Sequence, residues 1–190
     1  PEQAATIFAA NNQQPPMTLR VNSSRLSREA CLDILQQQGI DASAGTLSPH
    51  ALQLTRPMDV WTIPGFTTGM LSVQDEAAQM AALLLAPRAG ERILDACAAP
   101  GGKACHILEV QPALAELVAM DIDAGRLQRV AENMARLNLV ATLVVGNAAH
   151  PPPQMLPSSF DRILVDAPCT ASGVIRRHPA VDPQLGEVES

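Results

Sequence analysis

The sequence predicts an α/β protein, with a parallel, doubly wound sheet from residue 91 onward and a smaller α/β unit before it. Three observations carry this prediction. Short apolar segments alternate with helical stretches through the second half of the chain. A turn of small residues, DACAAPGGK (95–103), begins at the end of the first such segment. The first half instead holds two segments of alternating character, MTLRVN (17–22) and ALQLT (51–55), on either side of one helix. Strands and helices in short alternation require right-handed crossovers, and these make the strands parallel.

Taken in order, residues 1–16 contain NNQQPP and read as a linker or a frayed helix end. MTLRVN is a strand. Ser27 caps a helix over 28–38 that turns Cys31, Leu32 and Leu35 inward and stops at Gly39. ALQLT and VWTIPGF complete a small unit over 17–66. Ser72 and Asp75, three apart, resemble a capping box opening a helix that ends before Pro87, with Ala77, Met80, Ala81 and Leu84 on its inner face. ERILDAC is a buried strand, GGKACHILEV a helix and ELVAMDI a strand. Asp123 caps a helix that sets Leu127, Val130, Ala131, Met134 and Leu137 along one side. ATLVVGN is a strand, PPPQMLP a loop and FDRILVDAP the last strand, so residues 67–190 form the larger domain.

Composition narrows the function classes. The 190 residues suit one domain with a small appendage. Only 2% are aromatic and none is tyrosine, which speaks against a surface of stacking platforms for bases. A net charge of −6 opposes non-specific adhesion to polyanions, which depends on many lysine and arginine contacts. Local basic clusters remain: Arg176, Arg177 and His178 form a tight one, and Arg20, Arg25 and Arg28 a looser one. The four cysteines form no CxxC pair and have no metal-ligand spacing, so neither a metal nor a disulfide framework is expected. No apolar run reaches the ~18 residues of a membrane span, and the start of the chain is not a signal peptide. A reducing cytoplasm is the expected compartment. The chain opens on Pro1 and so reads as part of a longer polypeptide.

Chemistry is expected where the parallel strands end, since ligands of open sheets bind beyond the carboxyl ends of their strands. Gly101 and Gly102 allow a sharp turn and a close ligand, and the first N–H groups of the next helix face it. Asp121 follows 20 residues after Gly101, at a second strand end, where a carboxylate can accept ribose hydroxyls. The turn lacks GxGxxG and the Walker pattern GxxxxGK[ST], and Pro100 removes a donor that a pyrophosphate would use. A nicotinamide dinucleotide is therefore disfavoured. A ligand with a ribose and no phosphate fits better, and S-adenosylmethionine is one.

DACAAPGGK, the strand-end Asp121 and DAPCTASGVIRRHP (166–179) together resemble the RNA cytosine-5 methyltransferases of the Nol/Nop/Sun family. PGF (64–66) and VQDEAAQ (73–79) extend the likeness, which runs from about Met17 to Pro179. The resemblance implies a Rossmann-like S-adenosylmethionine-dependent fold, its last strands missing from this chain, behind a small RNA-binding unit. It implies methylation of carbon 5 of a cytosine in 16S ribosomal RNA free of the assembled subunit. Cys97, Ala98, Ala99, Pro100, Gly101, Gly102 and Lys103 would surround the methionine and sulfonium part of the cofactor. Asp121 would bind the ribose, and Asn147 stands where the family has an aspartate near the adenine. Asp166 would line the junction of cofactor and base, with Lys103 near the base. Arg176, Arg177 and His178 would contact RNA phosphates.

The reaction explains the thiols. A thiolate adds to carbon 6 of cytosine, carbon 5 then takes the sulfonium methyl, and loss of its proton with elimination of the thiol releases the product. From position alone Cys169, beside Asp166 at a strand end, is the nucleophile. The family instead uses a cysteine of a later Thr-Cys motif, and its Pro-Cys thiol, here Cys169, assists release. No Thr-Cys pair occurs in the sequence, so the chain is expected to bind donor weakly and not to turn over. A non-catalytic RNA-binding fragment or degenerate paralogue is the alternative, favoured by Asn147 and the absent motif. Cys31 and Cys105 read as packed helical residues, His106 as a packed or surface helical histidine, and Cys97 as one that packs on the cofactor.

Overall fold

The computed structural model describes residues 16–152, 155 and 159–167. Residues Met17–Asp166 make up one compact unit containing two four-stranded sheets.

The first sheet is antiparallel. It comprises β1 (Met17–Val21), β2 (Ala42–Ala44), β3 (Ala51–Leu54) and β4 (Leu71–Val73), in the order β2-β3-β1-β4. Helix α1 (Arg28–Gln37) lies between β1 and β2 in sequence. As expected, the Ser27 side chain caps it, accepting from the Ala30 N–H at 3.1 Å. Cys31 and Leu35 join Leu19, Val21, Leu52, Leu54 and Leu71 in one apolar core. The opposite face of β1 is buried too: Thr18, Arg20 and Asn22 are all shielded from solvent. A pattern that looks half-exposed in sequence therefore belongs to a strand covered on both sides.

Helix α2 (Glu76–Leu85) differs from expectation. Ser72 lies within β4, and Asp75 holds the N-cap position without a side-chain cap bond. No capping box forms, because the Ser72 hydroxyl instead accepts from Arg136. The inner face is also rotated: Gln79 and Ala82 are buried, whereas Ala77 is exposed and Leu84 is 78% exposed. Gln79 can occupy the core because its amide is satisfied there. It donates to the Leu19 and Gln74 carbonyls and accepts from the Ser48 hydroxyl.

The second sheet is wholly parallel. It comprises β5 (Arg92–Asp95), β6 (Glu116–Asp121), β7 (Thr142–Val145) and β8 (Arg162–Leu164), in the order β7-β6-β5-β8. Helix α3 (Gly102–Val110) joins β5 to β6, and α4 (Ala124–Leu137) joins β6 to β7. Both helices, with Ala82 of α2, pack on the face carrying Ile93, Leu117 and Ala119. Leu94, Val118 and Met120 on the other face are covered by Met155 and Phe160, from the segment that returns to β8. The return places β8 beside β5, so the order of strands reverses between those two. That reversal is the switch point of the sheet.

The Asp123 cap is present, its carboxylate accepting from the Arg126 N–H at 2.9 Å. Leu127, Val130, Met134 and Leu137 are buried, each contributing roughly 1.5–3 kcal/mol on transfer from water. Among the described residues no helix is long and apolar enough to cross a membrane.

Candidate active site

Asp95 closes β5, and the chain then turns through residues 96–101 before α3 begins. Bonds to neighbouring strands hold the turn: Ala96 N–H donates to the Leu164 carbonyl at 2.9 Å and Ala98 N–H to that of Met120 at 2.8 Å. The Ala99–Pro100 peptide is cis. Gly101 follows with φ +100°, and a Cβ there would lie 3.2 Å from the Val130 Cα and Cγ1. Glycine is required at this position, both for its left-handed backbone and for the close approach of α4. Asn133 and Arg126 of α4 donate to the Pro100 and Ala99 carbonyls at 2.9 and 3.3 Å.

Asp121, at the end of β6, is aimed by the backbone. Its Oδ2 accepts from the Ala99 N–H and its Oδ1 from the Asp123 N–H, both at 3.1 Å, with Arg126 Nη1 at 3.6 Å. Each oxygen keeps a lone pair for a further donor. Lys103, one residue into α3, forms an ion pair with Asp166 beyond β8, bridging the switch point. The turn, Asp121, Lys103 and Asp166 are thus gathered at one end of the sheet.

Two expected residues relate to this site differently. Asn147 follows β7 but is exposed, and its Oδ1 accepts from the Ala149 N–H at 2.9 Å. The side chain that was expected to face an adenine is engaged in its own loop. Cys97 is half-buried in the turn; burial raises its pKa, with Asp121, Asp95 and Asp166 adding to the effect. A thiol so placed is held protonated, as suits a packing residue. Cys169, Arg176, Arg177 and His178 lie outside the described residues.

Asp95 stands in the quoted motif without having been singled out. The residue is 1% exposed and lies beside the Cys97 backbone N–H. Burial pushes its pKa up to about 7, opposed by Lys103 and reinforced by Asp166 and Asp121. An acidic residue at the mouth of a glycine turn is the signal that could have found it. Elsewhere burial drives the Cys31 and Cys105 thiols up to about 11 and about 12, and His106 down to about 2. All three are core residues, as expected.

The looser basic cluster loses Arg20 to the interior. Arg20 is 1% exposed and paired to Glu109, while Arg25 donates to the Thr68 and Leu137 carbonyls. Arg20 spends its charge on Glu109 in the interior, whereas Arg25 is exposed and bonds neutral carbonyls. No group of three or more His, Cys, Asp or Glu that could hold a metal ion occurs among the described residues.

A parallel sheet of this order, with a glycine turn after its inner strand and a carboxylate at the next strand end, defines the Rossmann-like S-adenosylmethionine-dependent methyltransferase class. The chain belongs to the 16S rRNA methyltransferase RsmB/F family, which matches residues 82–187, and the expected Nol/Nop/Sun kinship is borne out. The ferredoxin-like domain of RsmF/B-like methyltransferases matches residues 1–61.

Ribosomal RNA small subunit methyltransferase B of Pseudomonas syringae pv. tomato is 52% identical over 95% of this chain, which covers 40% of that protein. The protein of the same name from Shewanella oneidensis is 53% identical over 92% of the chain, which again covers 40% of it. The chain therefore spans about two fifths of these relatives. Among solved structures, a methyltransferase homolog protein from Pyrococcus horikoshii superposes with a TM-score of 0.80. It is 30% identical, over 95% of this chain and 59% of that one. NSun6 from the same organism, solved with SFG, shares the fold at a TM-score of 0.74 and 20% identity, over 88% of this chain and 67% of that one.

Proposed function

We propose that this chain holds the donor site of an S-adenosylmethionine-dependent enzyme that methylates carbon 5 of a cytosine in 16S ribosomal RNA. The observation that carries the reading is the Asp121 carboxylate, locked by two backbone N–H groups and turned toward the glycine turn at the switch point. The residues present fit the donor. Asp121 suits a pair of ribose hydroxyls, and the buried Asp95 carboxyl at the mouth of the turn suits a cationic group.

When bound, the donor supplies an electrophilic methyl on a sulfonium. The chain's own residues do the rest. Residues 97–103 would enclose the amino-acid and sulfonium end, to which the first N–H groups of α3 would donate. Lys103 and Asp166 stand where a flipped base would meet the methyl, and Cys169 assists release of the methylated RNA. The antiparallel sheet, residues 17–73, serves as the RNA-facing unit, with Arg176, Arg177 and His178 on phosphates.

Calorimetry of the chain with S-adenosylhomocysteine tests the donor site. Binding is expected, with a loss of about 1.5–3 kcal/mol in Asp121→Ala, the worth of hydrogen bonds to a charged group. Nucleoside mass spectrometry of 16S RNA treated with the intact polypeptide tests the product, expected to be 5-methylcytidine. A titration in which NAD binds and S-adenosylhomocysteine does not would overturn the assignment, as would a methyl group on any other base.

A further inference from the structure

Arg20 occupies a costly position for a cation. It lies on β1, the strand flanked by β3 and β4, and both its side chain and that of Glu109 are 1% exposed. The guanidinium donates four hydrogen bonds. Nε and Nη2 clasp the two Glu109 oxygens at 2.8 and 2.7 Å, while Nη1 donates to Gln74 Oε1 at 2.6 Å and to the Gly102 carbonyl at 2.7 Å. An apolar pair of similar volume would join the two sheets at least as stably, since burying two charges costs about what their attraction returns. What an apolar pair cannot supply is the bond to Gly102.

Gly102 is the first residue of α3 and the last glycine of the turn. A trans peptide is planar, so fixing the Gly102 carbonyl also fixes the Lys103 N–H, which points the opposite way. In a first helical turn that N–H has no partner within the helix and faces outward, beyond the helix start. Lys103 itself carries the ion pair to Asp166. The guanidinium fork thus grips the rear of the peptide plane whose front faces the donor site.

We propose that Arg20 is a positioning residue for the donor turn, so that the antiparallel sheet forms a structural part of the cofactor site. The inference rests on the donor-site reading above. Sequence conceals it: in MTLRVN the arginine falls on the polar register, which an ordinary sheet turns to water.

The test pairs two variants of the full chain. Arg20→Met with Glu109→Leu removes both charges and leaves an apolar seam. Arg20→Lys keeps a counter-charge for Glu109 but cannot span three acceptors with a fork. Both are expected to melt as cooperatively as the parent yet to bind S-adenosylhomocysteine about 10- to 100-fold more weakly, the worth of one charge-assisted hydrogen bond. In the intact polypeptide, KM for the donor rises by a similar factor while kcat holds, as for loss of uniform binding. Parent-like affinity in either folded variant overturns the proposal and leaves the donor-site reading standing. Failure of the parent itself to bind removes both.

Discussion

Asp95 carries its proton to near neutrality because burial disfavours the charged form, and this sets a direction for stability. Unfolding returns the carboxyl to about 3.8, so between about pH 4 and 7 the folded chain binds a proton that the unfolded chain has lost. Stability from this group therefore rises as pH falls through that window, by at most about 1.4 kcal/mol per pH unit. Asp95→Asn, which cannot ionise, should outlast the parent in denaturant melts at pH 8, by a wider margin than at pH 5. A constant gap would mean the carboxyl is ionised throughout. His106 works in the opposite sense. Its folded pKa is depressed from 6.5 to about 2, so the unfolded state gains protons first and stability falls as pH drops below about 6.5. His106→Phe should remove that acid loss. Gly101→Ala should cost on the order of 1–3 kcal/mol through its left-handed backbone and the contact with Val130, with a matching loss of donor affinity by calorimetry. At this scale the glycine turn and Asp121 were legible because their chemistry is local to a strand end. Arg20 was not, since its role depends on a neighbour 89 residues away.

Helix α4 is an element that sequence describes well. Its Asp123 cap and its spacing of Leu127, Val130, Met134 and Leu137 recur in the structure, because each signal lies within the helix itself. Asp123→Ala should destabilise the chain by about 1 kcal/mol in urea melts. Donor binding should hold, since the Asp123 backbone N–H that helps aim Asp121 survives the substitution. Helix α2 shows the opposite case. Its alanines satisfy several helical faces equally, and the face that is buried follows from Gln79, whose partners Leu19 and Ser48 are remote in sequence. Strand β8 is shorter than its apolar run suggests, ending at Leu164 once pairing with β5 stops at Asp95.

The two sheets behave as one body because polar contacts cross between them. Arg20 reaches Glu109 and Gly102, Arg25 reaches the Leu137 carbonyl, and Arg136 donates to the Phe66 and Leu71 carbonyls while stacking 4.4 Å from the Phe66 ring. Trp61, the chain's single tryptophan, sits beside Phe66 and reports on the antiparallel part. Far-ultraviolet dichroism reports chiefly on the helices, three of which pack with the parallel sheet or directly before it. The two signals should give coincident urea transitions. Separate midpoints would show that each sheet folds alone. The fold class and the place of the glycine turn were readable at this scale from the alternation of elements, but the seam was not, since it consists of single residues brought together only by the fold.

That seam has a bearing on recombination. Exchanging residues 17–73 for another module would strand Glu109 without its counter-ion in the protein interior and leave the Gly102 carbonyl unheld. Chimaeras would need to import an arginine at the same register, or neutralise Glu109 beforehand. Shuffling of this region as a free cassette is thereby discouraged by the architecture, and descendants that carry the parallel sheet should inherit its antiparallel companion with it.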